Sequence, residues 1–438
     1  DSGEPLVGMA GALLSYVEQT QRGALNHLTR FVCRDAGEAM VVDRSTLRNL
    51  EIERSADGSR KNSLIDVLDH TRTRMGARLI RDYLVRPSID LEEIGERQRA
   101  VVEMHDNPEL LEGIRSACEN LPDLERLAAR VGLGQATPRE LSGLRTGLDM
   151  LPGILEAGRP ATSSRLHALI ESLDPMTDLA ELLHQRLAAE PAQVAGAGVM
   201  AGGWDEELDE QRNLAHGGKE LLAGIEIAER ERTGIGSLKV RYNKVFGYFI
   251  EVSKANLDRV PDDYDRRQTL TNAERFVTAE LKELESKILS AEERATARDR
   301  QLFQDLLEEL SNHAPRIAAT ANTVARIDVL AAFADRAKRC GYCRPVMAED
   351  AGISISEGRH PVLEAVQRDP PFIPNDSSLD PESGQIVLLT GPNMGGKSTY
   401  LRQVALITLM AHAGSFVPAA EAVIGLTDRI FTRVGASD

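Results

Sequence analysis

The decapeptide Thr-Gly-Pro-Asn-Met-Gly-Gly-Lys-Ser-Thr at 390–399 constrains this chain more than any other feature. Its spacing, Gly391-x-x-x-x-Gly396-Lys397-Ser398, is that of a loop whose consecutive backbone N–H groups converge on the β- and γ-phosphates of a nucleotide. Glycine is needed there because a side chain would hold the phosphate away from the backbone. Lys397 then supplies an ammonium for the β/γ-phosphates, and Ser398 a hydroxyl for Mg²⁺. The flanks agree with this reading. Ile386-Val387-Leu388-Leu389 is an apolar run of the buried-strand type, and the stretch 400–412 places Leu401, Val404, Ala405, Leu406 and Leu409 at helical spacing. Strand, loop and helix in that order set an anion at a helix N-terminus, where unpaired N–H groups and the macrodipole favour it.

Most of the remaining chain reads as helix. Residues 9–19 form an amphipathic helix with nothing upstream to pack on, the expected end of a domain that begins earlier. From 62 to about 189 one helical pattern follows another, punctuated by Pro87, Pro108, Pro122, Pro138, Pro152 and Pro160. A Gly/Ala-rich loop is expected at 194–203, then helix from 204 to about 233. Between 235 and 269 the period becomes two: Leu238, Val240 and Tyr242 alternate with Lys239, Arg241 and Asn243, and a second strand follows at 248–252. Helix is expected again from about 272 to 312, a stretch without Gly or Pro that would span about 60 Å. A small β module is thus inserted at the tip of two long helices. Beyond Arg339, Pro and Gly become frequent, short strands such as 352–356 appear, and the phosphate-loop region begins.

Composition bounds the functional classes. With 438 residues, 42% of them hydrophobic, the chain can hold two to four domains with proper cores. A net charge of −16 argues against nucleic acid overall, yet a DNA-binding face needs only local cations. Lys239, Arg241, Lys244, Lys254, Arg266, Arg267 and Arg275 crowd the β module, with Asn243 and Asn272 as neutral donors. Such side chains suit duplex phosphates. Asp258, Asp262, Asp263 and Asp265 share the stretch, so a solvated charged surface accounts for it equally well. Neither an aromatic platform for single strands nor a recognition-helix signature is present. Cys33, Cys118, Cys340 and Cys343 do not make a disulfide framework, and Cys340-Gly-Tyr-Cys343 lacks a second pair to complete a metal site. Without a signal peptide or an apolar run of about 18 residues, the expected setting is cytosolic, with no membrane.

Further motifs carry a resemblance. They are EGRHPV at 357–362, RVGASD at 433–438, GYFIEVSKAN at 247–256, RRQTLTNAERF at 266–276, WDEELDE at 204–210 and NSLIDVLDHTRTRMGARLIRDYL at 62–84. Together with the phosphate loop they resemble the MutS family of DNA mismatch repair ATPases, over nearly the whole chain. The resemblance implies a multidomain, mainly α protein. Residues 1–30 would close a connector domain, while 31–223 and 286–340 would form a helical core with lever arms. Residues 224–285 would be a small β-rich DNA clamp, and 341–438 the first half of an α/β P-loop ATPase domain of the ABC class. It implies ATP/ADP and Mg²⁺ as ligands, held by Gly391, Pro392, Asn393, Met394, Gly395, Gly396, Lys397, Ser398 and Thr399. Phe372 and Ile373 match the adenine-contacting segment, with Phe372 as the stacking residue, and His360 is a structural residue before Pro361. Contacts to DNA would come from Lys239, Arg241, Asn243, Lys244, Arg266, Arg267, Asn272 and Arg275. The implied partners are double-stranded DNA with mismatches or small loops, a second copy in a homodimer and a MutL-type protein, in a bacterial cytoplasm at the nucleoid. The loop 194–200 departs from the family in lacking charged residues.

Phosphoryl transfer to water also needs an Asp for Mg²⁺ and a carboxylate that orients the water. After Lys397 the acids are Glu421, Asp428 and Asp438, none of them in an Asp-Glu pair after an apolar run. This stretch alone is therefore expected to hydrolyse ATP poorly, with the Walker B pair, the Ser/Thr signature, the dimer helices and the mismatch-reading Phe-x-Glu lying outside it. A DNA-clamping relative without mismatch reading is the alternative. A coiled-coil chromosome-organising ATPase would carry its phosphate loop before the coil, the reverse of the order here.

Overall fold

The computed structural model describes residues 4–20, 37, 39–243, 247–349, 352–367, 369, 371–380, 382, 384–392 and 395–433. The helices are α1 (Glu4–Thr20), α2 (Arg44–Asn49), α3 (Leu64–Leu68), α4 (Arg74–Val85), α5 (Leu91–Asp106), α6 (Pro108–Ala117), α7 (Leu124–Gly132) and α8 (Pro138–Gly158). There follow α9 (Ser164–Glu171), α10 (Thr177–Arg186), α11 (Glu206–Thr233), α12 (Ala279–Ser311), α13 (Ala314–Cys340), α14 (Pro361–Val366) and α15 (Lys397–His412). The strands are β1 (Val41–Val42), β2 (Lys239–Asn243), β3 (Gly247–Ser253), β4 (Asp265–Thr269), β5 (Ala273–Val277), β6 (Val346–Ala348), β7 (Ile353–Gly358), β8 (Asn375–Leu379), β9 (Glu421–Gly425) and β10 (Arg429–Ile430). They divide into two compact units, one of Asp1–Ala136, Gly143–Ala180 and Leu310–Asp438, the other of Thr137–Ser142 and Glu181–Glu309.

The first unit is built on α13, which is buried along most of its length and packs against α4, α5, α6 and α7. By composition α13 is long and apolar enough to cross a membrane, with a mean hydropathy of 1.3 in its most apolar window, a run that the sequence reading did not pick out. Its burial against neighbouring helices is that of a core helix. Its most deeply buried carboxylate, Asp328, accepts from the backbone N–H of Arg72 at 2.9 Å and of Thr73 at 2.8 Å, and from the Thr73 hydroxyl at 2.7 Å. Thr73 in turn caps α4 through the Gly76 N–H, so core and cap are one network. C-terminal to α13, a sheet in the order β6-β9-β7-β8 forms beside α15, with β6 and β9 parallel and the other pairs antiparallel. The expected strand at 386–389 is not formed. Ile386 and Leu388 are each 88% exposed, because no described strand runs alongside to complete a ladder and cover their faces.

In the second unit, β2-β3-β5-β4 form an antiparallel sheet, as the alternation predicts for the first hairpin. One face packs Ile250, Val252 and Phe276 against Leu222 and Ile225 of α11 and Leu281 and Ile288 of α12. Carboxylates on the helices hold the sheet: Glu226 accepts from the Val240 N–H at 2.8 Å and Glu285 from the Tyr248 N–H at 3.0 Å. The long helix expected from 272 starts at Ala279, since 273–277 are taken by β5, where Phe276 pairs with Ile250 and enters the core. Its 33 residues span about 50 Å. The uncharged loop 194–203 is fastened through its backbone. The N–H groups of Gly198, Val199 and Met200 donate to the fully buried Asp299, which also accepts from Arg212 at 2.6 Å.

Candidate nucleotide site and cationic sheet

In the first unit, the loop at 390–396 and the segment 371–376 face each other across a cavity of about 930 Å³. Its walls include Phe372, Ile373, Gly391, Pro392, Gly395, Gly396, Lys397 and Thr399 from the sequence reading, joined by Asn375 and Tyr400. Ser398 is exposed and is not among the lining residues, while Asn393, Met394 and most of the motif at 433–438 lie outside the described residues. Gly391 (φ 152°) and Gly396 (φ 82°) take backbone conformations that side chains disfavour. Gly396 is the N-cap of α15 and brings no side chain to the first turn, leaving that turn's N–H groups for an anion. Lys397 Nζ donates to the carbonyls of Gly391 at 2.5 Å and Pro392 at 2.7 Å, a placement at the mouth of the loop from which it can reach a phosphate. Glycine backbone, helix N-terminus, ammonium and an apolar wall fit a nucleotide. For Mg²⁺ the chain offers Ser398, and no cluster of three or more His, Cys, Asp or Glu side chains suited to a metal is found among the described residues.

The C-terminal end of α15 is anchored. There Arg97 of α5 is buried, donates to the carbonyl of the C-cap residue Ala413 at 3.1 Å and lies 3.6 Å over the Tyr83 ring. Gly414 (φ 85°) permits this approach, since a Cβ there would come within 2.7 Å of the Arg97 Cβ. His412, fully buried, accepts at Nε2 from the Thr427 N–H, so Nδ1 carries the hydrogen that it donates to the Ser88 carbonyl at 2.8 Å. Burial pushes its pKa down, which keeps the ring neutral for this arrangement. His360 is the N-cap of α14, its Nδ1 accepting from the Leu363 N–H, and burial together with the charge of Arg402 pushes it down to about 4. That is the structural role expected of it.

In the second unit, the sheet face turned away from α11 and α12 carries charge. Lys239 stands opposite Glu251, Glu251 opposite Arg275, and Arg241 opposite Phe249. Arg275 lies 4.3 Å over the Phe249 ring, donates to Gln268 and sits 3.8 Å from Glu251, while Arg241 is 3.6 Å from the same carboxylate. One anion thus holds two cations in place, with Lys239 beside them, and the patch keeps a positive balance. Arg266 is drawn toward Glu274 at 3.1 Å, and Arg267 is the extra residue of a β-bulge between Arg266 and Gln268. Asn243 ends β2, Asn272 lies in the turn before β5, and Lys244 is outside the described residues.

A family model described as MutS domain III matches residues 45–334, and one described as MutS domain V matches 387–438. The chain belongs to the MutS family. It is 46% identical over 435 residues to the DNA mismatch repair protein MutS of Pelotomaculum thermopropionicum, an alignment that covers 99% of this chain and 50% of that protein. Identity to the protein of the same name from Chlorobaculum tepidum is 47% over 432 residues, 98% of this chain and 49% of the relative. The chain spans about half the length of the curated relatives it matches. Of the features that the structure adds to this MutS chain, Asn375, Tyr400, Glu251 and Arg97 were not singled out from sequence. Each gains its place from a contact distant in the chain, and no local pattern announces it.

Proposed function

We propose that this chain is the part of a DNA mismatch repair ATPase that carries the phosphate loop and the DNA clamp. The observation that carries this reading is the cavity in which Lys397, the N-terminus of α15 and Phe372 meet. In it, Lys397 and the N–H groups of the first turn neutralise and orient the phosphates of ATP or ADP, and Phe372 stacks on the base. Ser398 would offer a hydroxyl to Mg²⁺, which would offset phosphate charge there. The cationic sheet face binds duplex backbone without reading sequence, so recognition of mismatches or small loops belongs to other parts of the protein. Nucleotide exchange would switch the protein, as a homodimer, from a mismatch-bound to a sliding form that engages a MutL-type partner, in the bacterial cytoplasm. The residues of this chain alone do not complete the hydrolytic set.

Titration calorimetry of ADP tests the reading. The expected outcome is that Lys397→Met weakens binding about a hundredfold, the loss of about 2.8 kcal/mol that a charge-assisted phosphate contact supplies. Equal affinity in parent and variant would remove the phosphate loop from the account.

A further inference from the structure

Asn375 opens β8 and lines the nucleotide cavity beside Phe372 and Ile373. Both hydrogens of its amide nitrogen are committed, Nδ2 donating to the Ile373 carbonyl at 3.1 Å and to Gln403 Oε1 at 3.3 Å. A backbone carbonyl only accepts, so the amide cannot be turned the other way without setting oxygen against oxygen. The same logic orients Gln403, which is fully buried in α15. It must present Oε1 to Asn375, and its own Nε2 is left without a partner. Leaving a buried N–H unpaired is costly, so holding Asn375 in this sense is a feature of the site that packing alone does not account for. What remains of Asn375 is Oδ1, an acceptor without a partner among the described residues, on a side chain that borders the cavity.

We propose that Asn375 selects the base, its Oδ1 accepting from the 6-amino group of an adenine stacked on Phe372, with the Ile373 carbonyl setting the sense of the amide and Gln403 bracing it. A 6-oxo purine would oppose acceptor to acceptor and bind more weakly. This inference rests on the nucleotide reading given above and adds to it the group that tells one purine from another.

The test is competition of ATP and of ITP, which exchanges the 6-amino donor for a 6-oxo acceptor, against a fluorescent ADP analogue on the full-length protein. The parent should prefer ATP by about tenfold or more, as expected for one hydrogen bond and the repulsion that replaces it. Asn375→Ala should bring the ratio toward one, weakening ATP by the lost hydrogen bond and relieving the repulsion of ITP. Gln403→Leu should move it part of the way, because one of the two contacts that hold the amide is lost and only the Ile373 carbonyl remains. Lys397→Met should weaken both nucleotides and leave their ratio unchanged. A purely structural Asn375 would alter melting temperature and overall affinity without altering the ratio. Asn375→Ala and Gln403→Leu proteins that melt like the parent and keep its ATP/ITP ratio would overturn the proposal, as would a parent that favours ITP. Binding of neither nucleotide by the parent would overturn the nucleotide reading and this inference with it.

Discussion

At the residue scale, charges in this protein are placed by specific partners, and this yields two separable expectations. His360 caps α14 as a neutral ring with a pKa of about 4. Its folded value lies below the unfolded one of about 6.5, so the stability it contributes is complete above pH 6.5 and is lost as pH falls toward 4. At about 1.4 kcal/mol per pH unit the ceiling is about 3 kcal/mol. His360→Asn keeps a capping side chain and removes the titration, so urea unfolding at pH 7, 6 and 5 should show a flatter profile than the parent. His412, also pushed down by burial, adds a slope of the same sign that the variant retains; an unaltered slope would assign the whole effect elsewhere. On the cationic sheet, Arg241→Ala and Arg267→Ala should weaken duplex binding alike for matched and mismatched sites. Each should lower the salt slope by about one. Unchanged slopes in both variants would take this surface out of the mechanism.

At the scale of elements, α15 is the piece on which the site depends, because it begins at Lys397 and ends on Arg97. Arg97→Ala removes a hydrogen bond to the helix C-cap and a stacked guanidinium, a loss of about 2 kcal/mol. It should lower the melting temperature by a few degrees, and parent-like melting would show the joint to be dispensable. The sequence made α15, the loop before it and the first hairpin legible, since each rests on a local pattern: glycine spacing, a period near four, a period of two. It misled at 386–389, where an apolar run has the composition of a strand but pairing depends on neighbours that composition does not supply. It misled again at 273–277, where Ala-Glu-Arg-Phe-Val suits helix or strand and the pairing of Phe276 with Ile250 decides. The link from Asn375 to Gln403 joins residues far apart in sequence, so neither residue stood out as part of the site.

For the whole molecule, a net charge of −16 coexists with a local patch where Lys239, Arg241 and Arg275 outnumber Glu251. Duplex binding at one place and repulsion elsewhere are thus compatible, and they favour a defined mode of contact over general adhesion to DNA. Under the function proposed above, that surface and the nucleotide cavity serve one cycle, in which a mismatch in DNA governs which nucleotide is held. The measurement that tests this most directly is the release rate of a fluorescent ADP analogue from the full-length protein, by stopped flow, with mismatched duplex, matched duplex or no DNA. The account predicts that mismatched duplex accelerates release beyond matched duplex, and that Arg241→Ala reduces the acceleration at subsaturating DNA. Release at one rate under all three conditions would contradict it.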